Sequence, residues 1–388
     1  MAPHNDAQEV SPPTNGKSMG QTYTIPTEMK AIRYNKVKDW SLVTMPVPKP
    51  RAHEILVKVK SCGVCGTDLH IHNGDFDSKM PVVTGHETSG IVVQIGDAVK
   101  GFTIGDKVTA DNSELCGYCH FCREGKLLYC ENFAAHGVHR TFSDLFITSA
   151  RETGANMETV DGGFAEYCVF PAEKLFKFHN LSWEEASLFE AASCAVHGMD
   201  RIRPEIGSSV LLIGSGATGL CLAQLLRGNG GQHVVLASNA GPKMELAKKL
   251  DCADEYIELS REDPGKQWSA LKEQYPYGFD VVVEASGSVK VLEMAIDFCA
   301  RGGKLVYYGV YPKEALIAVS PQRVFSDEIT MIGSFSEMWC VGRSVKYLES
   351  RKVDVRGIVD KTFRLEQFGE ALDAVRNKTC IKAAIVFD

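Results

Sequence analysis

No apolar run in the chain approaches the roughly 18 residues that a membrane-spanning helix requires, so a membrane is not an expected partner. The N-terminal stretch MAPHNDAQEVSPPTNGKSMGQTYT, residues 1–24, lacks the basic-then-apolar order of a secretory leader and shows no periodicity. It reads as a flexible tail, and the expected location is cytoplasmic. An excess of positive charge is missing too. The formal net charge is −7, whereas proteins that grip a phosphate backbone usually carry a basic footprint, so nucleic acid is not an expected partner either. Internal repeats and low-complexity tracts are absent. Cysteine is abundant at 13, but the count is odd and no leader precedes it, which favours metal binding or buried thiols over a disulfide framework.

What is present describes a two-part globular chain. Its 388 residues exceed the roughly 250–300 at which one core stops growing, and 44% hydrophobic with 23% charged residues are globular values. From about 25 to 110, runs such as EILVKVK and SGIVVQIG cluster β-branched residues between Gly, Pro and Asp, which marks a strand-rich region. After residue 208 the pattern becomes strand, glycine turn, helix, in SVLLIG/ATGLCLAQLLR, HVVLAS/PKMELAKKL and FDVVVEAS/VKVLEMAIDFCA, followed by the strand GKLVYYGV. That alternation predicts parallel βαβ units, an α/β fold class. Helices are expected again in VGRSVKYLES and FGEALDAVRN, with a final strand in KAAIVFD. Between the halves, Ser182 with Glu185 three residues on forms a capping box that starts a helix near Trp183.

Residues 114–130, ELCGYCHFCREGKLLYC, hold Cys116, Cys119, Cys122 and Cys130. Zinc takes four soft ligands in a tetrahedron, and a short loop can wrap four sulfurs around one ion, so this is a candidate closed, structural zinc site. Free clustered thiols on an exposed loop would oxidise. A zinc-ribbon module that binds nucleic acid would use the same spacing, against the acidic balance of the chain.

Upstream lie SCGVCGTDLH (61–70) and GHETSGIVVQIGDAV (85–99), where separated Cys, His and Glu residues flanked by glycines are suitable donors for a metal with an open coordination position. Gly85, His86, Glu87, Gly90, Gly96 and Val99, followed by Gly105, Asp106 and Val108, resemble the signature of zinc-containing medium-chain alcohol dehydrogenases. The CGTD run from Cys65 and the four-cysteine loop occur in that family in the same order, and the resemblance covers roughly 28–388. It implies a β-rich, GroES-like catalytic domain plus a Rossmann cofactor domain with a doubly wound parallel sheet. The expected divisions are a tail over 1–24, a catalytic domain over 25–190, an NAD(P)-binding domain over 191–335 and a return to the catalytic domain over 336–388.

Carried onto this chain, the resemblance makes Cys65 and His86 catalytic zinc ligands. Simple alcohol dehydrogenases use a second cysteine where this chain has Glu190 in LFEAASCAVHG, a segment similar to that of polyol dehydrogenases. In that branch Glu87 also serves, giving Cys65, His86 and Glu87 as direct ligands and Glu190 as ligand or holder of a water. The same resemblance makes Thr67 and His70 a proton relay, while Cys62 reads as a packed thiol and His72 as a surface residue. Two zinc ions, one catalytic and one structural, are expected.

SVLLIGSGATGLCLAQLL places Gly214, Gly216 and Gly219 as G-x-G-x-x-G between a strand and a helix, the turn that admits a pyrophosphate. Where NAD-preferring relatives carry an acid this chain has Ser238, followed by Asn239 and, further on, Lys243. These groups suit a ribose 2′-phosphate, so NADP is favoured, with NAD or both as the alternative. Gly309 and Val310 resemble the turn beside the reacting nicotinamide. The implied reaction moves a hydride from a secondary hydroxyl of a polyol (arabinitol, xylitol or sorbitol type) to NAD(P)+, giving a ketose, in a homodimer or homotetramer. The pattern is closest to fungal arabinitol (polyol) dehydrogenases. Threonine, butanediol and simple alcohol dehydrogenases are alternatives within the class, and Ile71 stands where some sorbitol dehydrogenases place a tyrosine. A non-catalytic dinucleotide-binding structural or sensing protein predicts an incomplete constellation, and a quinone reductase predicts no zinc; here Cys65, Thr67, His70, His86, Glu87 and Glu190 are all present.

One stretch departs from the family. HRTFSDLFITSARETGANME, 139–158, separates the cysteine loop from GGFAEY, and reads either as a substrate-side surface loop or as a retained intron.

Overall fold

The computed structural model describes residues 23–75, 80–131, 134–135 and 162–388, so the expected tail up to residue 22 and the 139–158 insertion lie outside the described residues. Three sheets carry the architecture. A small antiparallel one pairs strand Glu28–Lys36 with Asp39–Pro46 and Val82–Val83. The second is built around the long strand Glu54–Val64, which pairs antiparallel with Glu87–Ile95, Tyr167–Pro171 and Lys382–Val386. Its last member comes from the far end of the chain. The third sheet is parallel throughout, in the order Glu255–Leu259, Gly231–Asn239, Ser208–Ile213, Phe279–Glu284, Cys299–Tyr307, Thr330–Gly333.

The apolar runs of the parallel strands are explained by burial on both faces. Val210 and Leu212, with Val234, Leu236, Val281 and Val283, pack into one cluster. Their alternate neighbours Leu211, Ile213, Val235, Ala237 and Val282 pack into another across the sheet. Strand order reverses between Ser208–Ile213 and Phe279–Glu284, and open α/β sheets bind ligands at the carboxyl ends of such a pair.

The capping box forms as expected: Glu185 N donates to Ser182 Oγ and Ser182 N to Glu185 Oε2, opening helix Trp183–Ser187. The helical path turns at Leu188 and continues as Phe189–Ile202. That second helix packs against Ala217–Gly228 and Val341–Glu349, and Ser193 Oγ meets Ser344 Oγ at 2.8 Å. The helix expected across VKVLEMAIDFCA is shorter than its apolar pattern suggests. It stops at Ala295, a 3₁₀ turn covers Ile296–Phe298, and Cys299 already pairs with Phe279 in the parallel sheet. Among the described residues no helix is long and apolar enough to cross a membrane.

Candidate active site and metal centres

Donor atoms of Cys65, His86 and Glu87 lie within 4.8 Å of one another. Backbone geometry brings them there. Cys65 is the cap residue of helix Gly66–Asn73, immediately after strand Glu54–Val64, and Glu87 opens the neighbouring strand, opposite Gly63. A side chain at Gly63 would displace the Glu87 carboxyl, because its Cβ would stand 1.9 Å from Glu87 Oε2. The cap is held by Asp68, whose Oδ2 accepts from Cys65 N at 2.8 Å.

Asp68 also faces the imidazole, with Oδ1 3.8 Å from His86 Nδ1, while His86 Nε2 lies 4.0 Å from Glu87 Oε1. The backbone carbonyl of His86 accepts from Asn112 Nδ2 at 3.2 Å. Burial pushes the Asp68 carboxyl up to about 6. Burial works against charge on His86, yet Asp68, followed by Cys65 and Glu87, outweighs it and holds the imidazole up at about 10. A proton is favoured there because the surrounding groups are arranged for a cation. Glu87 Oε2, His86 Nδ1 and Asp68 Oδ1 are buried without hydrogen-bond partners. One thiol, one imidazole and one carboxylate with unsatisfied buried atoms fit a zinc ion with an open position.

Glu87 has a second partner that the sequence did not announce. Lys382 Nζ donates to Glu87 Oε1 at 2.6 Å, and both side chains are buried. Burial disfavours charge on Lys382, but Glu87 and then Cys65 hold its pKa above the ordinary lysine range. The only clue in sequence was one cation opening an otherwise apolar final strand.

Glu190 lies on helix Phe189–Ile202 and is not among the donors grouped with Cys65. Its Oε1 accepts from Cys194 Sγ at 3.2 Å, one helical turn on. Burial first, then the charge of Glu87, raises its pKa. Cys65 Sγ and Thr67 Oγ1 are 3.7 Å apart. His70 occupies the same helix, and its Nδ1 lies 3.1 Å from Asp75 Oδ2 with 39% of the side chain exposed. Cys62 is fully buried, in weak contact with Thr88 Oγ1 at 3.9 Å. His72 is not a plain surface residue: it is half-buried, with Nδ1 3.1 Å from the Tyr34 hydroxyl and its ring edge-on to that tyrosine.

The sulfurs of Cys116, Cys119, Cys122 and Cys130 also form one group, each residue less than one-tenth exposed. Cys116 and Cys122 sulfurs are 3.9 Å apart, and those of Cys119 and Cys130 4.0 Å. Zinc–sulfur bonds of about 2.3 Å give a tetrahedron with edges of about 3.8 Å, so the spacing suits that ion. Backbone N–H groups of Cys116, Cys119 and Cys122 point at sulfurs of the set, 3.3–3.4 Å away, as donors toward thiolates would.

In the parallel sheet, each glycine of the G-x-G-x-x-G turn has its own reason. Gly214 has φ 121° and a Cβ there would stand 2.8 Å from Ala285 C, whereas one on Gly219 would stand 2.5 Å from Gly214 O. Gly216 caps helix Ala217–Gly228 and faces open space, leaving that helix N-terminus approachable by a phosphate. Ser238, near the end of strand Gly231–Asn239, meets Ser215 Oγ at 2.7 Å. Lys243 lies on helix Pro242–Lys249; burial lowers its pKa, with Lys378 and Arg261 adding repulsion. Arg261, which the sequence reading passed over, places Nη2 within 3.9 Å of the Cβ position of Gly241. At the switch point, Glu284 accepts from Ser286 N at 2.8 Å, from Gly287 N at 3.1 Å and from the Tyr311 hydroxyl. A Cβ on Gly309 would stand 2.5 Å from Gly287 N, and Val310 is exposed. Tyr308 links the two regions, since its ring lies 2.8 Å from the Cβ position of Gly198 on the helix that carries Glu190.

A GroES-like β sheet with a Cys/His/Glu cluster, joined to a doubly wound parallel sheet with a glycine turn, defines a zinc-dependent dehydrogenase. Family models agree: the alcohol dehydrogenase GroES-like domain matches residues 51–180 and the zinc-binding dehydrogenase matches 217–345. The chain belongs to the zinc-containing medium-chain dehydrogenases and is an oxidoreductase. It is 47% identical to D-arabinitol dehydrogenase 1 of Uromyces fabae, across 94% of this chain and 99% of that protein. L-threonine 3-dehydrogenase of Shewanella woodyi is 30% identical, across 93% of this chain and 100% of the relative. A solved Sinorhizobium meliloti 1021 structure bound to NADP, assigned to the zinc-binding dehydrogenases, superposes with TM-score 0.82 at 27% identity, covering 93% and 100% of the two chains.

Proposed function

We propose that the protein oxidises a secondary hydroxyl of an acyclic polyol of the arabinitol type to a ketose, with NADP+ preferred over NAD+. The observation that carries this reading is the mixed Cys65/His86/Glu87 donor group, with Glu190 in place of a second cysteine. The 47% identity to a D-arabinitol dehydrogenase over nearly the whole chain supports the substrate class.

When bound, zinc supplies Lewis acidity that lowers the pKa of a hydroxyl, and the dinucleotide accepts hydride. Cys65, His86 and Glu87 hold the metal, and Asp68 orients the imidazole from behind. Glu190, fixed by Cys194, keeps a carboxyl at the edge of the site as ligand or water holder. Thr67 and His70 stand three apart on helix Gly66–Asn73, which puts them on one face. A proton taken up at Thr67 leaves through His70, whose half-open position beside Asp75 reaches solvent. Cys116, Cys119, Cys122 and Cys130 hold a second, structural zinc. Gly214, Gly216 and Gly219 would admit the pyrophosphate, Gly309 and Val310 would lie on the nicotinamide side, and Ser238, Asn239, Lys243 and Arg261 would receive the 2′-phosphate.

The test is metal analysis of the purified protein with a polyol panel assayed against both cofactors. The expected result is two zinc ions per chain, turnover of pentitols, and kcat/KM for NADP+ above that for NAD+ by about tenfold or more, as one added phosphate contact pair allows. Lys243→Ala should erase that preference. A zinc-free active enzyme, or a strong NAD+ preference, overturns the corresponding part.

A further inference from the structure

Glu87, Glu284 and Glu337 are the buried glutamates among the described residues, and they are treated very differently. Glu87 is paired with Lys382, and Glu284 accepts from two backbone N–H groups and two hydroxyls. Glu337 is 1% exposed and no side chain bonds its carboxyl oxygens; the one donor acting on it is the backbone N–H of Cys340, short of full hydrogen-bond geometry. Buried polar groups nearly always find a partner in native structures, so a carboxyl left this way is a candidate for a group supplied from outside the chain. Stability alone offers no reason to keep it.

Its position points to the substrate. Residues 334–340 connect edge strand Thr330–Gly333 to helix Val341–Glu349, which packs on helix Phe189–Ile202, the carrier of Glu190 and Cys194. The charge of Glu337 acts on Cys194, and those of Asp111 and Glu190 act on Glu337, with Lys174 as the opposing cation. Two residues around it, Ser336 and Trp339, have φ of 52° and 58°, the left-handed region that non-glycine residues avoid. Such backbone is kept where it aims a side chain. The Trp339 side chain turns outward and is exposed, while Cys340 anchors the segment through Sγ to Met338 O at 3.1 Å.

We propose that Glu337 is a specificity-determining residue of the substrate site, receiving a hydroxyl of the polyol on a carbon other than the one being oxidised. This rests on the polyol reading above. A buried carboxyl, able to accept and when protonated to donate, suits a hydroxyl of an uncharged polyhydroxylated chain. The reaction needs a metal, a hydride acceptor and a proton path at one carbon; Glu337 adds recognition elsewhere along the chain.

Steady-state kinetics of Glu337→Met and Glu337→Gln test the idea, both substitutions being close in volume to glutamate. Glu337→Met should raise the pentitol KM by about 10–100-fold, the usual cost of a lost buried hydroxyl contact, with kcat, cofactor KM and Tm little changed. Glu337→Gln, which keeps a donor and an acceptor, should recover most of that loss. A pentitol KM within twofold of the parent in Glu337→Met overturns the inference while the polyol reading stands. So does a parallel fall in kcat, cofactor affinity and Tm, which would mark a structural role. A parent enzyme that does not oxidise pentitols overturns both.

Discussion

Asp68 does two things with one carboxylate. Oδ2 holds the backbone N–H of Cys65, which fixes where the thiol points, and Oδ1 faces His86 Nδ1, which leaves Nε2 on the side of Glu87, where the proposed zinc would sit. Replacing it with asparagine keeps the shape and removes the charge that steers the imidazole. Asp68→Asn should weaken retention of the catalytic zinc by roughly 10–100-fold, read as metal content after competition with a graded chelator. The residue was visible in CGTD but carried no assignment, because its role depends on His86, which only the strand pairing brings near. Cys116, Cys119, Cys122 and Cys130 were legible for the opposite reason: one short loop contains every donor, so spacing alone decides the geometry. Glu337 and Arg261 fall at the other extreme. Nothing beside them in sequence distinguishes a buried carboxyl, or a guanidinium beside Gly241, from ordinary surface charge.

At the scale of elements, the parallel sheet was readable where a strand is an apolar run, as in Ser208–Ile213 and Phe279–Glu284, and not at its edges, where Glu255–Leu259 and Thr330–Gly333 are short and partly exposed. The contrast is the stretch VKVLEMAIDFCA, whose apolar pattern extends past the point where Ala295 ends the helix. Cys299 pairs with Phe279, and a strand partner is not encoded in local periodicity. The glycine turn has a sharper consequence. A methyl group on Gly219 would press on the Gly214 carbonyl at 2.5 Å, inside any real contact, and backbone has to move to accept it. Gly219→Ala should therefore raise the KM for either dinucleotide by about tenfold or more and lower Tm by several degrees, measured by kinetics and thermal melting. Both metal contents should remain at the parental level, since that turn belongs to the other sheet.

For the whole molecule, the decisive connection is the strand Lys382–Val386. It crosses back from the cofactor half to lie beside Glu54–Val64, and it delivers Lys382 to Glu87 across 295 residues of sequence. Lys382→Met would leave a buried carboxylate without its counter-charge, a change that typically costs about 3–5 kcal/mol. Urea unfolding should show that loss, and the double substitution with Glu87→Gln should restore a large part of it, because the two groups are coupled. The same route has a meaning for folding. Glu87 and its counter-charge meet only after two segments far apart along the chain have found each other, whereas the βαβ units of the parallel sheet join near neighbours, so the charge pair should close late, after the dinucleotide half has taken shape.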